Sequence, residues 1–496
     1  MAPPLRPEDA VIGLIGMGEM GKMYAERLSK GGRCKKINVC DLPEKYDQLV
    51  EYCQGKDRVV AMRDGHYVSR ESDFIIYSVE AAFLDRVVAQ YGPCAPYFPF
   101  PFRNSSITDH SWSPATKVGA IVSGQTSVKA PERAAFEKYL PEDVNIVSIH
   151  SLHGPTVPPD GQALIIIQHR ASDAQVELIE ELLAPLKSRY VRLSYDEHDE
   201  VTANTQAVTH AAFLSMGTAW RCTGQFPWEL GRYIGGIEVV KINITLRIYA
   251  AKWHVYAGLA ILNPTAQKQI HQFAESASDL FKLMIQGKED ELRRRVLAAR
   301  DFVFGSSEGD GEHAQPTPIL LSDTALDRFS IGSPSSSDTP PPPNSHLALL
   351  AMVDCWHLLR IRPFVHLSLA ATPVFRFWIG VAEYLFRDEA RLEAAIQAAG
   401  AANLGPGVAF SADDAEFVIA ARGWSDTVRY GSFEAYRMRF EETRRFFEPR
   451  FEESRIANRD MFAFLAEEPV RPGTAPASAN ATPAPSAPGT PKLGAA

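Results

Sequence analysis

The chain has 496 residues, 45% of them apolar and 22% charged, which is the make-up of an ordinary globular protein and excludes a disordered chain, a collagen-like fibre or a small disulfide scaffold. Lys and Arg number 51 against 60 Asp and Glu, so the net charge is −9, and a dedicated nucleic-acid binder, which needs a cationic surface to displace counterions, is disfavoured. At about 150 residues per domain the length allows two or three units.

Met1–Ala10 holds three prolines and two acids, with neither a basic start nor an apolar stretch, and so does not read as a signal peptide. VIGLIGMGEMGKMYAERL at 11–28 follows: an apolar strand, then Gly16-x-Gly18-x-x-Gly21, then an amphipathic helix. Gly16 allows the tight turn, Gly18 lets backbone approach a pyrophosphate, and Gly21 lets helix and strand pack closely. The helix N-terminus offers its unpaired N–H groups to the phosphates. A second strand, KINVC, ends in Asp41, twenty residues after Gly21, where a ribose-reading acid is expected. A carboxylate there accepts from a free 2′-hydroxyl and repels a 2′-phosphate. With no Arg beside Asp41-Leu42-Pro43 and only Lys45 close by, the local chemistry leans to NAD.

The apolar runs RVVAM, DFIIYSV, KVGAIVSG, VNIVSIH and ALIIIQH continue to about residue 193, interleaved with helical patterns. Strands alternating with helices predict a mostly parallel, Rossmann-like sheet over 10–193. Residues 93–115, rich in proline and aromatics and then polar, interrupt this pattern as an inserted surface loop. SGQTSVKAPE at 123–132 places small polar residues between a strand and a helix. VSIHSLHGPTVPPDG at 147–161 places His150 at a strand end, where open α/β sheets bind ligands.

From 194 to 465 the periodicity is almost wholly helical. EHDEVTANTQAVTHAAF at 197–213 carries Thr202, Gln206 and His210 four residues apart as one polar stripe. LRIYAAKWHVYAGLAIL reads as another apolar helix. ATPVFRFWIGVAEYLF at 371–386 embeds Arg376 among apolar neighbours, either snorkelling or reaching a carboxylate. Residues 305–345 read as a linker, and 466–496 as a disordered Pro/Ala-rich tail. No segment approaches the roughly 18 apolar residues of a membrane span. The six cysteines include no C-x-x-C pair, so free thiols and a cytoplasmic setting are expected, and no metal site.

Taken together, GLIGMGEMGKMYA, DFIIYSVEA, GQTSVKAPE, HSLHGP, EHDEVTANTQAVTHAAFLSMG, NITLRIYAAKWHVYAGLAI and TPVFRFWIGVAEYLF resemble the prephenate dehydrogenases, most closely the fungal NADP-dependent type, over roughly 10–93 and 116–465. The resemblance implies oxidative decarboxylation of prephenate to 4-hydroxyphenylpyruvate in tyrosine biosynthesis. It implies NADP as cofactor, and an all-α C-terminal domain that dimerises and holds substrate. It implies His150 as the acceptor of the substrate hydroxyl proton, Ser127 beside that hydroxyl, and Arg376 on a substrate carboxylate. Gln206 and His210 would line the pocket. Two features depart from the family pattern: the 93–115 insert, and Asp41 without a following Arg. Rival readings are an arogenate dehydrogenase, a β-hydroxyacid dehydrogenase using Lys241 and Asn243, and a catalytically silent NADP-binding sensor.

Overall fold

The computed structural model describes residues 5–92, 116–155, 157–224, 226, 236–305, 344–370, 372–400, 411–456, 459 and 461. The 93–115 loop, all but the ends of the 305–345 linker and the 466–496 tail lie outside the described residues.

Eight strands form one sheet: β1 (Val11–Ile15), β2 (Lys36–Cys40), β3 (Val59–Ala61), β4 (Phe74–Tyr77), β5 (Ile121–Gly124), β6 (Asn145–Ser151), β7 (Ala163–Arg170) and β8 (Arg189–Arg192). Their order is β3-β2-β1-β4-β5-β6-β7-β8, and every adjacent pair is parallel except β6 with β7. The strand order reverses between β1 and β4, which is where doubly wound sheets open a ligand crevice. Seven of these strands match the apolar runs of the sequence. β8 does not, because its four residues, RYVR, carry two charges and bury only Val191. It is a short edge strand of the kind that resists further pairing.

Helices cover both faces, which is why β4 reads as an unbroken apolar run with all four residues buried. On one face Ile12, Leu14, Val39 and Ile76 pack with Tyr24 and Leu28 of α1 (Glu19–Gly31). On the other, Ile75, Tyr77 and Val122 meet residues of three more helices. After α2 (Tyr46–Cys53), these are α3 (Gly65–Glu71), giving Val68, α4 (Ala81–Tyr91), giving Leu84 and Val88, and α5 (Ala130–Tyr139), giving Phe136. Each fully buried side chain of this size contributes about 1.5–3 kcal/mol. α6 (Asp173–Leu183) adds Ile179 and Leu183 to the first face.

Every described element after β8 is helical. The segment read as one helix over 197–213 is instead α7 (Tyr195–Thr202), a π-helical turn at Ala203–Ala207, and α8 (Val208–Thr223). The extra residue in the π turn breaks the even Thr202–Gln206–His210 stripe. LRIYAAKWHVYAGLAIL is likewise divided, with α9 (Ile237–Ala250) ending before α10 (His254–Leu262) at an extended Ala251. There follow α11 (Pro264–Ile285), α12 (Glu289–Phe304), α13 (Leu347–Leu358), α14 (Pro363–Ala370), α15 (Pro373–Phe386), α16 (Glu389–Ala398), α17 (Ser411–Arg429) and α18 (Phe433–Phe447). Their shared core is aromatic: Trp356, Trp378, Trp424 and Phe213 are fully buried, and Phe213 meets Trp378 edge-on at 4.7 Å. Leu152, Ile165, Ile167 and Val191 of the sheet side pack with Tyr195 and Val201 of α7, joining the two halves. Among the described residues no helix is long and apolar enough to cross a membrane, and the five described cysteines are unpaired.

Candidate active site

Because β1, β4, β5 and β6 run parallel, their C-terminal ends share one edge of the sheet. At β1 that edge is the glycine turn. Gly16 adopts φ +101°, and a Cβ there would lie 2.4 Å from the Ser78 carbonyl oxygen. A Cβ on Gly21 would lie 2.2 Å from the Gly16 carbonyl oxygen. Gly18, at the N-cap of α1, has nothing within 4 Å of its Cβ position. Two glycines therefore close the turn, and the third leaves free space at a helix N-terminus whose N–H groups face outward. That is the cradle a pyrophosphate needs. At the end of β2, Asp41 accepts from the Leu42 backbone N–H at 2.8 Å and lies 3.7 Å from Lys45 Nζ. The cation opposite the carboxylate makes the position less hostile to a 2′-phosphate than the acid alone suggests. The turn and Asp41–Lys45 fit a dinucleotide, and these are the residues that would hold it.

Three strand spacings away, about 14 Å across the sheet, the ends of β5 and β6 carry a buried polar cluster. Lys129 and Glu132 are both fully buried. Lys129 Nζ donates to both Glu132 oxygens at 2.9 Å, to Ile149 O at 2.9 Å and to Gly124 O at 3.1 Å. Glu132 also accepts from Thr126 Oγ1 at 2.6 Å and Ser148 Oγ at 2.5 Å. A side chain on Gly124 would strike the Glu132 carboxylate at 2.2 Å, so that glycine makes room for the ion pair. Burial pushes the Lys129 ammonium below its usual range while Glu132 holds it up. This cluster fixes the loop bearing the half-buried Ser127 against β6, one residue before His150.

His150 is 7% exposed. Its Nδ1 lies 2.8 Å from Nε2 of the fully buried His198 on α7, whose Nδ1 lies 2.9 Å from Asp199 Oδ1. Asp199 in turn accepts the backbone N–H groups of Lys129 at 2.7 Å and Ala130 at 2.8 Å, at the start of α5. Burial drives His150 and His198 well below the usual imidazole range, so both are neutral at pH 7. Burial pushes the Asp199 carboxyl up, against the backbone donors and the Lys129 ammonium, which draw it down. The result is a neutral imidazole at the strand end, with its far side tied through a second ring to a carboxylate. Such a group can accept a proton from a substrate hydroxyl.

The remaining sequence candidates lie in the helical half. Gln206 is half-buried within the π turn. His210 sits about 18 Å beyond His198 along the helical run at 1.5 Å per residue. Its ring meets Tyr256 edge-on at 4.7 Å, beside a small cavity lined by Leu214, Ala260, Trp424 and Tyr436. Burial lowers its pKa to about 4. Arg376 is half-buried in the first turns of α15 between the fully buried Phe375 and Phe377. Lys241, the candidate base of the β-hydroxyacid reading, is buried and paired to Glu238 at 2.5 Å. Sequence reasoning did not single out Lys129, Glu132, His198 or Asp199. The available signals were the adjacent His-Asp at a helix start and the Lys-x-x-Glu spacing, and neither shows its distant partners.

Residues 207–467 match the family model of a 6-phosphogluconate dehydrogenase C-terminal domain. The chain is 49% identical over 456 residues to the "Probable prephenate dehydrogenase (NADP(+))" of Schizosaccharomyces pombe, covering 92% of this chain and 97% of that protein. It is 47% identical over 458 residues to the prephenate dehydrogenase (NADP(+)) of Saccharomyces cerevisiae, covering 91% and 93%. A solved prephenate dehydrogenase from A. aeolicus, in complex with hydroxyphenyl propionate and NAD+, aligns over 59% of this chain and 96% of its own at 18% identity and a TM-score of 0.43. On the extent and identity of the two yeast matches, this chain belongs to the prephenate dehydrogenase (NADP(+)) family.

Proposed function

We propose that this chain oxidatively decarboxylates prephenate to 4-hydroxyphenylpyruvate and CO2 with NADP as hydride acceptor, in tyrosine biosynthesis. The observation that carries the reading is the buried neutral His150 at the C-terminal end of β6, on the sheet edge that bears the glycine turn. NADP, when bound on Gly16, Gly18, Gly21 and Asp41, supplies the hydride acceptor. His150 takes the C4 hydroxyl proton as hydride leaves C4, and returns it to the C4 oxygen once loss of CO2 has aromatised the ring. A positioned base of this kind is worth about 10² to 10⁴ in rate. Ser127, on the loop clamped by Lys129, is the companion of His150 at that hydroxyl. Arg376 is assigned to a substrate carboxylate, which a guanidinium can grip with two parallel N–H groups. Gln206 and His210 are assigned to the pocket wall on the helical side, His210 the deeper of the two. The same reading carries a cytoplasmic homodimer joined through the helical half.

The test is product identification after incubating the protein with prephenate and each nicotinamide cofactor, alongside His150→Asn. The expected result is 4-hydroxyphenylpyruvate and NADPH from the wild type, with turnover at least 100-fold lower in the variant, the scale of lost base help. Undiminished turnover in the variant, or turnover only with arogenate, would overturn the reading.

A further inference from the structure

Two side chains of the polar cluster take no part in the reaction just described. They are His198 and Asp199, adjacent on α7, and they stand in line behind His150. The proton positions along this line follow by elimination. Asp199 meets two donors that cannot reverse: the Lys129 N–H on Oδ1 and the Ala130 N–H on Oδ2. Both belong to the start of α5, where the helix dipole also favours an anion. Asp199 is therefore the accepting, ionised end of the line, and His198 donates to it from Nδ1. A neutral imidazole protonated on Nδ1 can only accept at Nε2. His150 must then donate from its Nδ1, which leaves its Nε2 bare.

We propose that His198 and Asp199 are positioning residues that hold His150 in the tautomer whose unprotonated Nε2 faces the substrate hydroxyl. The inference rests on the reading of His150 as the base. In the opposite tautomer His150 would carry its proton on Nε2 and point a donor at a group that must itself give up a proton. The line also serves the next moment of the reaction. When Nε2 takes the hydroxyl proton, the new imidazolium keeps its Nδ1–H on His198, with the Asp199 carboxylate behind. No second proton has to move, and the same proton later returns to the phenolic oxygen. His198 is fully buried, so no solvent molecule competes for either of its nitrogens. The other ionisable groups facing His150, Lys129 on the β5–α5 loop and His153 after β6, contribute positive charge or a weak base and cannot accept from Nδ1 in place of His198.

The test compares His198→Leu, which removes the acceptor, with His198→Gln, which restores one near the Nε2 position. The expected result is a loss of 30-fold or more in kcat for the Leu variant, prephenate and NADP KM values within about three-fold of wild type, and at least ten-fold of the loss recovered by Gln. A merely structural role predicts no such split and no rescue by Gln. A second measurement needs no substitution of the relay. In ¹⁵N-histidine-labelled wild-type protein, with the His150 signals identified by their absence from His150→Asn, Nδ1 should be protonated and Nε2 bare. An unimpaired kcat in His198→Leu, equal impairment of Leu and Gln, or a protonated Nε2 on His150 overturns the proposal while leaving His150 as the base. Undiminished turnover in His150→Asn would remove the base assignment itself and the proposal with it.

Discussion

The turn after β1 and the polar cluster after β5 lie on the same edge of one sheet, yet they are built on opposite principles. The turn works by leaving side chains out. Gly16 and Gly21 have no room for a Cβ, and Gly18 keeps the approach to a helix end clear. The cluster works by packing side chains in. Lys129, Glu132, Thr126, Ser148, His150, His198 and Asp199 satisfy one another with little or no solvent contact. The first needs only a handful of consecutive residues. The second draws on segments up to 70 residues apart, so it can form only when β5, β6 and α7 are already in register. Cofactor binding is thus a local property of this chain, and base chemistry is a property of its tertiary fold.

Four changes would break or sharpen that contrast. The largest effect is expected from Glu132→Ala, which leaves the Lys129 ammonium buried without its counter-charge. It should cost about 3–5 kcal/mol in urea unfolding, and an apolar replacement of both partners should recover much of the loss. A single variant as stable as wild type would show that the cluster does not hold the fold. Next, Arg376→Ala should raise the prephenate KM by ten-fold to a few hundred-fold, the scale of a lost charged hydrogen bond of about 1.5–3 kcal/mol, and spare kcat by comparison. A collapse of kcat with KM unchanged would move Arg376 from binding to chemistry.

Within the turn, the contrast should separate one glycine from its neighbour. Gly16→Ala should destabilise the protein by about 1–3 kcal/mol through its left-handed backbone and the Ser78 carbonyl. Gly18→Ala should leave the unfolding midpoint within about 0.5 kcal/mol and weaken NADP roughly ten-fold, about 1.4 kcal/mol, in a fluorescence titration. Equal effects at both positions would erase the distinction between closing the turn and clearing it. The smallest effect is expected from pH. His150, His198 and His210 are held neutral in the folded protein by burial. Below about pH 6.5 the unfolded chain binds protons that the folded chain refuses, so stability falls as pH drops toward 4, the range set by His210. His210→Phe should make that fall shallower, and an unchanged slope would mean that His210 already takes up its proton in the folded state.

The sequence was most legible where structure is local. Alternating apolar runs located β1 to β7, and the glycine spacing located the cofactor turn, because each signal lies within one stretch of chain. β8 escaped because a charged four-residue edge strand has no apolar pattern to betray it. The π turn at Ala203–Ala207 escaped because a one-residue change of helical phase leaves apolar periodicity almost intact. His150 could be placed at a strand end, but its partners could not be named, since His198 is 48 residues away and is brought back only by the route the chain takes through the sheet.

That route depends on the reversal between β6 and β7. Had β7 continued in the common direction, the chain would have left the sheet by another crossover helix, with no reason to revisit the strand ends. Because β7 and β8 run backwards, the exit at Arg192 comes level with Ile149 and the chain must climb again. α7 makes that ascent, with the Tyr195 hydroxyl 2.8 Å from Ser148 and His198 beside His150. The helical half is consequently tethered at the mouth of the crevice by the very segment that touches the base. Any tilt of one half against the other would be felt first at that imidazole, so the opening through which a small molecule enters and the chemistry that awaits it are governed by one joint.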